Sequence, residues 1–182
     1  PLAQAATSAG DGLAHQVNIT SAANLSAITF TITGTDADGV ALTEAVTGPN
    51  ATTVESTGYF LTVTSVAISA TLAADTVDLG WVDEIVTPTI QLNTYARGAS
   101  ANIDVTGTVN YTVQATHSDM RTREADGPFN WFDLDDPNID LISITADVAF
   151  GLFPMPRAIR LKTNSYSTGA TLALRIVHTQ DC

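Results

Sequence analysis

The sequence predicts an all-β protein made of two small antiparallel β-sandwich domains in tandem. Of its 182 residues, 45% are hydrophobic, which is enough to build cores in domains of this size. Val, Ile and Thr recur in short runs, and their branched side chains suit the pleated surface of a strand. Apolar and polar residues alternate in segments that end at Gly, Pro or Asn. We therefore expect very little helix.

The clearest local pattern is a β-hairpin near the start. Apolar residues alternate with Thr over Ile28–Thr33, Asp38-Gly39 marks a turn, and the alternation resumes over Val40–Val46. One face of the hairpin is predicted to be buried and the other polar. Glu44 lies on the apolar phase of the return strand, so either that strand has begun to leave the core or a bulge shifts its register.

Three more short strands are predicted before residue 82. Gly48-Pro49-Asn50 interrupts the pattern, and alternation then returns at Tyr59, Leu61 and Val63, at Val66 and Ile68, and at Val77, Leu79 and Trp81. About six strands in roughly 80 residues are typical of a small sandwich of immunoglobulin-like or jelly-roll-like type. The alternation ends at Trp81 and Pro88 cannot continue an interior strand, so a domain join is expected within Asp83–Pro88.

These signals predict an N-terminal arm at residues 1–14, a first sandwich at 15–86 and a second at 87–182. The second half is expected to contain further antiparallel hairpins, with turns at Gly107 and at Thr168-Gly169. Their strands carry Ile90 and Leu92, Ile103 and Val105, Val109, Tyr111 and Val113, and Ile159 and Leu161 opposite Leu172, Leu174 and Ile176. A long irregular stretch is predicted over Ser118–Asn138, and such loops are usually functional surfaces or oligomer contacts.

The charge distribution argues against binding to nucleic acid. The net charge is −12, and the nine acidic residues that precede Arg97 have no Lys or Arg among them. In the rest of the chain, seven basic residues are accompanied by ten acidic ones, so no basic groove is indicated. No segment is long and apolar enough for a membrane helix. The lone cysteine, Cys182, excludes an intramolecular disulfide and fits synthesis in a reducing cytoplasm.

Neither an enzyme nor a cofactor or metal site is expected. Asp36–Gly39 fits a hairpin turn much better than a calcium loop, because the later ligands of an EF-hand loop are absent. An acidic cluster made of Asp133, Asp135, Asp136 and Asp140 is the stronger calcium candidate. His15, His117 and His178 lack zinc-ligand spacing. Consecutive residues on an extended chain point to alternate sides, so His117-Ser118-Asp119 cannot act as a catalytic triad.

Two groups of residues are the candidates for a protein interface. Alternation on the last predicted hairpin places Arg160, Lys162 and Arg175 on one outer face, where they would form a small basic patch. The acidic first domain of another copy is a possible partner for it, and a simple solvated face is the alternative. The second group comprises Phe129, Trp131 and Phe132. Aromatic residues on a sandwich can also stack on sugar rings, but Trp81 is expected to be core and Trp131 to lie at an interface.

Several segments resemble structural proteins encoded by tailed bacteriophages. The pattern runs through Ile28–Gly39, Leu42–Gly48 and Tyr59–Val66, and over residues 15–82 as a whole. The second half, with Asp104–Val113, the loop around Trp131 and Arg157–Leu161, is similar to the continuation of the same proteins. These motifs specify strands and turns, so the resemblance transfers no catalytic or metal residue.

The resemblance implies a component of the virion. Small all-β proteins on phage heads typically form trimers that clamp the joints between capsid hexamers, so the implied partners are the major capsid protein and copies of the chain itself. The expected location is the outer surface of the head. The alternative is a tail, adaptor or fibre component with a receptor-binding or glycan-binding role.

Overall fold

The computed structural model describes residues 8–93, 98–118, 129–136 and 139–179. Within these ranges the chain is all-β in antiparallel sheets and contains no helix, which confirms the predicted class. The strands are β1 (Ala14–Thr20), β2 (Thr29–Thr35), β3 (Ala41–Thr47), β4 (Thr53–Glu55), β5 (Thr62–Ile68), β6 (Asp78–Val86), β7 (Ile90–Gln91), β8 (Gly98–Thr106), β9 (Val109–Thr116), β10 (Phe132–Asp133), β11 (Asp135–Asp136), β12 (Ile139–Asp140), β13 (Val148–Leu152), β14 (Ala158–Tyr166) and β15 (Thr171–Thr179).

The chain divides into two compact units, Pro1–Pro88 and Thr89–Cys182. β6 continues past Trp81 to Val86, and its last two residues, Ile85 and Val86, are both buried. The expected domain limits at residues 14 and 86 stay predictions. Of the predicted arm, residues 1–7 lie outside the described ranges, and β1 begins at Ala14.

The first unit contains two three-stranded sheets. One has the order β3-β2-β5 and the other β6-β1-β4. Both sheets contribute to one hydrophobic cluster, which is formed by Val17, Ile19, Leu25, Phe30, Ile32, Val46, Phe60, Val63 and Val66. Trp81 packs against this cluster while remaining partly exposed, so its expected role in the core is met only in part.

The predicted first hairpin is confirmed as β2 and β3. The two strands pair in continuous register from Thr29 opposite Thr47 to Thr35 opposite Ala41. Asp36 Oδ1 accepts the N–H groups of Asp38 and Val40 within the turn, at 2.9 and 3.1 Å, which is the local role that Asp favours in turns.

Of the two explanations of Glu44, the bulge is wrong; the strand is buried at Val46 and only partly buried at Glu44 and Leu42, as expected of a strand that leaves the core. The β2–β3 register contains no shift at this residue. The Glu44 carboxylate instead accepts the N–H of Thr57 at 2.7 Å, the hydroxyl of Thr57 at 2.8 Å and the N–H of Gly58 at 2.8 Å. An apolar-phase position can hold a carboxylate here because three donors compensate for its partial burial.

The second unit is also built from two main sheets. One has the order β10-β9-β14-β7 and the other β13-β8-β15. A small separate hairpin pairs β11 with β12. Side chains from both main sheets form the second hydrophobic cluster, whose fully buried members include Ile103, Tyr111, Val113, Leu141 and Ile159.

Two of the expected hairpins are wrong in their pairing. β8 does not pair with β9, and β14 does not pair with β15; the partners are β8 with β15 and β9 with β14. The turns are where the sequence places them, and Gly107 and Gly169 have φ of 85° and 80°. Each turn carries the chain to the opposite sheet instead of returning it to the same one.

The two crossing turns of the second unit lie side by side. Ser167 N–H donates to Thr108 O at 2.8 Å, and Thr108 N–H donates to the Ser167 hydroxyl at 3.2 Å. The first unit has the same plan, since β1 and β2 cross between sheets, as do β5 and β6, while β1 pairs with β6 and β2 with β5. The two units therefore share a nested arrangement of crossing strands.

The expected irregular stretch at Ser118–Asn138 contains regular structure where it is described. β10 pairs with β9 through Phe132 opposite Ala115 and Asp133 opposite Gln114. β11 pairs with β12 directly afterwards. β10 therefore extends the edge of the β9–β14 sheet, whereas β11 and β12 form a separate two-stranded sheet.

Candidate functional site

The candidate site lies on the outer face of the β10-β9-β14 sheet. Alternation on β9 and β14 turns Val113, Ala115, Ile159 and Leu161 into the core, where each is buried. Their neighbours therefore point outward, and Arg160 stands directly opposite Gln114. The next outward pair is Lys162 opposite Thr112. The predicted outward position of Arg160 and Lys162 agrees with this register.

Arg160 is held by neighbouring groups on this face. Its Nε donates to Gln114 Oε1 at 2.8 Å, and Gln114 Nε2 donates in turn to Asp133 Oδ1 at 2.8 Å. The guanidinium carbon lies 4.3 Å from the centre of the Trp131 ring, which is a cation–π contact. Arg160, Gln114 and Asp133 thus form a hydrogen-bonded row across β14, β9 and β10. Trp131 lies against the Arg160 end of this row.

The aromatic residues of the candidate interface fall into two contacts. Phe129 meets Trp131 edge to face, with ring centres 6.2 Å apart and planes at 87°. Phe132 stacks on His117 at 5.4 Å and 27° instead, and 41% of its surface is exposed. Successive residues of a strand point to opposite sides, which explains why Trp131 and Phe132 separate.

The segment from Phe129 to Asp133, called the aromatic segment below, is fixed to the end of β9. The Thr116 hydroxyl donates to Asn130 O at 2.9 Å, and Asn130 N–H donates to the Ser118 hydroxyl at 3.4 Å. Thr116 faces outward yet is fully buried. Its burial and its bond to Asn130 show that the aromatic segment covers this end of the sheet.

The predicted basic patch is not formed. Arg175 is on β15, which belongs to the other sheet and pairs with β8 instead of β14. Arg175 forms an ion pair with Asp104 of the neighbouring strand β8. The prediction failed because it assumed that β14 and β15 form one hairpin.

The histidines take up hydrogen bonds or ring contacts. His15 is buried, with Nδ1 2.6 Å from Val82 O and Nε2 2.9 Å from Asp11 Oδ2, and it meets the Trp81 ring edge-on. Burial raises the pKa of the Asp11 carboxyl, but the Leu13 N–H and the nearby His15 ring outweigh it and leave the pKa below the usual value. His178 Nε2 accepts the Asn93 N–H at 3.2 Å.

No metal centre is present among the described residues, where no group of three or more His, Cys, Asp or Glu side chains is suitably placed. Asp135 stands opposite Asp140 in the β11–β12 hairpin, and Asp133 bonds to Gln114. Asp119 of the His117-Ser118-Asp119 sequence lies outside the described ranges, as does Cys182.

The two most exposed large apolar residues among the described ones of the second unit were not among the predicted interface residues. Phe153 is 86% exposed and Val177 is 65% exposed. The exposure of Val177 could have been predicted from the sequence. Leu174 and Ile176 point to the core, so the residues that alternate with them on β15, including Val177, point away from it. Phe153 lies between β13 and β14, where no periodic signal marks its exposure.

The comparisons with other proteins give no relative. No protein-family model matches the chain, and no curated protein or solved structure matches it significantly. None of the described residues belongs to a helix that could span a membrane.

Proposed function

We propose that the chain is a structural protein of a tailed-bacteriophage virion, a decoration protein that binds the outer surface of the head. The support is the resemblance of residues 15–82 and of most of the second half to such proteins. The net charge of −12 also suits a protein that contacts other proteins and not DNA. The chain would be made in the host cytoplasm and would act by binding, without catalysis or a cofactor.

The single observation that carries an interaction role is the aromatic segment. Trp131, with Phe129 against it, lies over Arg160 on the outer face of one sheet, whereas Phe132 is opposite the core-facing Ala115 and stacks on His117 at the edge of that sheet. Aromatic residues and Arg are enriched in protein interfaces, where rigid aromatic side chains lose little entropy on binding. Phe132, with 41% of its surface exposed, is the most exposed of these three aromatic residues.

We infer that each unit is a small β-sandwich. In both units, two antiparallel sheets contribute buried side chains to a single hydrophobic cluster. The crossing turns support this interpretation because they connect facing sheets, as sandwiches require.

The mechanism would rest on many weak contacts acting together. The proposed partners are the major capsid protein and copies of the chain itself, arranged as a homotrimer over joints between capsid hexamers. Each contact need be only weakly favourable, because symmetry and a high effective concentration multiply its effect. Such clamps would oppose the outward pressure of packaged DNA.

A binding experiment tests this proposal. Purified protein would be mixed with head shells that lack it and then sedimented with them. We expect saturable binding, weakened about tenfold or more by Phe132→Ser, since truncating a central aromatic contact typically costs this much. Val177→Ser, an equally simple change on the other sheet, should leave binding unaltered. Absence of wild-type binding to shells would contradict the proposal.

A second candidate function is glycan binding by a tail, adaptor or fibre component. The observation in its favour is that Trp131 lies over Arg160, whose side chain is hydrogen-bonded to Gln114, which is itself bonded to Asp133. A sugar would have to stack on the indole face opposite Arg160, which covers the other one. Binding on a glycan array that disappears with Trp131→Ala would favour this function over head decoration.

A further inference from the structure

His15 is a buried side chain whose two ring nitrogens both face oxygen atoms. Only 4% of its surface is exposed. Its Nδ1 lies 2.6 Å from Val82 O, and its Nε2 lies 2.9 Å from Asp11 Oδ2. A backbone carbonyl oxygen can only accept a hydrogen bond, so Nδ1 carries a proton. A neutral imidazole has one N–H, and the state of Nε2 therefore depends on Asp11.

The Asp11 carboxyl is ionised in this arrangement. Its Oδ1 accepts the Leu13 N–H at 2.9 Å. Burial raises the pKa of the Asp11 carboxyl, but the Leu13 bond and the His15 ring outweigh it and hold the pKa below the usual value. An ionised carboxylate can only accept hydrogen bonds, so Nε2 must carry a proton as well. Both contacts together require the doubly protonated imidazolium form of His15.

The elements packed around the His15 ring add no second ionisable group to this contact. β6 supplies the Val82 carbonyl and the Trp81 ring, whose centre lies 6.2 Å away. Phe60 exchanges two backbone hydrogen bonds with His15. Among the described residues, Asp11 is the only acid that bonds to the ring.

The charge of His15 is exceptional in the first unit. Before Arg97 the chain has nine acids, no Lys or Arg, and one His, so His15 is the only side chain there that can become a cation. Glu84 precedes Ile85, the β6 residue opposite His15, but its carboxylate accepts the Tyr59 hydroxyl. The buried cation is thus paired with one particular acid of the nine.

This ion pair is the polar tie of the segment just before β1, residues 8–13, called the lead-in below. Of the hydrogen bonds and ion pairs between described residues, only the one from His15 to Asp11 joins the lead-in to the rest of the first unit. Gly10 and Gly12, on either side of Asp11, have φ of 94° and 79°. The backbone therefore turns at Asp11 and brings its carboxylate back to a residue four positions ahead.

Removing one ring proton places two acceptors face to face in either neutral tautomer. With the proton on Nδ1, the Nε2 lone pair faces the Asp11 carboxylate; with the proton on Nε2, the Nδ1 lone pair faces Val82 O. Asp11 is the side that can yield, because its side chain is 36% exposed and its charge can be hydrated, whereas Val82 lies within β6. The lead-in then separates while β1 and β6 stay paired.

We propose that His15 is a buried imidazolium that holds the lead-in on the first unit through Asp11, and that removal of one ring proton releases the lead-in. The tie exists where His15 is cationic and Asp11 is anionic. It is lost as the pH rises and His15 loses its charge, and again in acid as Asp11 is protonated, below the usual range for Asp. This behaviour goes beyond the proposed function, because it needs no capsid or other partner.

The first test is an NMR titration of the isotope-labelled full chain from about pH 5 to about pH 10, which spans the ordinary range of histidine. The ring nitrogen signals count the protons on His15, and the Cα relaxation of Gly10 and Gly12 reports motion of the lead-in. We expect two ring protons with a rigid lead-in at the acidic end. At the alkaline end we expect one ring proton with a mobile lead-in, in a single shared transition, while Ile19 in β1 stays rigid throughout.

Variants separate the charge from the fold. His15→Asn keeps an N–H for Val82 O but has no group in place of Nε2, so the lead-in should be mobile at every pH. If this buried change prevents folding, Asp11→Ala removes the same tie from the exposed side and should give the same result. Asp11→Asn has both a donor and an acceptor, can bond to either form of the ring, and should abolish the transition in the lead-in. The control, Asp75→Asn, removes an exposed acid and should titrate like the wild type.

Three results would overturn the proposal. The first is a ring with one proton at the acidic end, and the second is a ring that keeps both protons to the alkaline end. The third is a wild-type lead-in that stays equally rigid after His15 loses its second proton. An Asp11→Asn protein whose lead-in follows the wild-type transition would contradict it as well, because the tie would then not depend on the carboxylate.

Discussion

The guanidinium group of Arg160 lies over the indole ring of Trp131, 4.3 Å from its centre, while its Nε bonds to Gln114. This pair connects β14 to the aromatic segment across the intervening strand β9. A side chain predicted to belong to a basic interface patch thus contacts Trp131 and Gln114 instead. The stability of the proposed interaction surface should depend on it.

Arg160→Ala should lower the free energy of unfolding by about 1–3 kcal/mol, through loss of the cation–π contact and of one hydrogen bond. Arg160→Lys should have a smaller effect, since the charge remains but the planar group does not. The matched control is Arg175→Ala, whose exposed ion pair with Asp104 should contribute less than about 1 kcal/mol. Urea denaturation followed by circular dichroism measures all three. Equal effects of the two Ala substitutions would show that the Trp131 contact is energetically unimportant.

Glu44→Gln should destabilise the first unit by about 1–3 kcal/mol. The neutral amide keeps the shape of the side chain but loses charge-assisted bonds to Thr57 and Gly58. Glu55→Gln, an exposed change on β4, is the control and should alter stability by less than about 0.5 kcal/mol. If Glu44→Gln behaves like this control, the carboxylate is not fixing the Thr57-Gly58 turn.

Gly34→Ala should reduce stability by more than about 3 kcal/mol or prevent folding. A Cβ at this position would overlap the backbone carbonyl of Thr62, where β5 shifts its register against β2. Gly151→Ala is the control, because it is also in a strand but its added methyl group would have nothing within 4 Å. Thermal unfolding distinguishes them. A folded Gly34→Ala protein with an unchanged melting temperature would mean that β2 and β5 do not approach this closely.

Tyr111 should give the protein an alkaline stability limit. Burial, with a smaller effect of the Asp147 carboxylate, raises the pKa of Tyr111 to about 12 from 10.0. Because its phenolate is disfavoured in the folded state, this contribution to stability is complete below pH 10 and is lost as the pH rises towards 12.

Unfolding midpoints measured from pH 8 to pH 12 should therefore fall more steeply for the wild type than for Tyr111→Phe. The variant also loses the hydroxyl bond to Ala146 O, so it should be less stable at neutral pH by about 1 kcal/mol. Parallel pH profiles for the two proteins would show that Tyr111 titrates normally.

The local structure of this chain is readable from its sequence, whereas the strand partners are not. The β2–β3 hairpin is predictable because Ile28–Thr33 alternates and Asp38-Gly39 closes a tight turn. The turns at Gly107 and Gly169 carry similar signals, yet they connect strands of two different sheets. The apolar side chains point to the core whether a turn joins two paired strands or two strands of different sheets. Alternation therefore cannot tell these two connections apart.

At the candidate site, too, the sequence predicts which way a side chain points but not which residue it contacts. Alternation correctly turns Arg160 outward, but its contact with Trp131 joins residues far apart in sequence and depends on β10 pairing with β9. Glu44 is recognisable as anomalous, but the Thr57 and Gly58 donors that explain it belong to another segment. Both contacts depend on which distant segments lie side by side, and alternation in the sequence does not show this.

The most direct measurement is a cryo-electron microscopy reconstruction of the virion that contains this chain. We expect repeated density over threefold or quasi-threefold joints of the head, with the aromatic segment at a contact between subunits. Density for the chain only at the portal or tail would contradict head decoration.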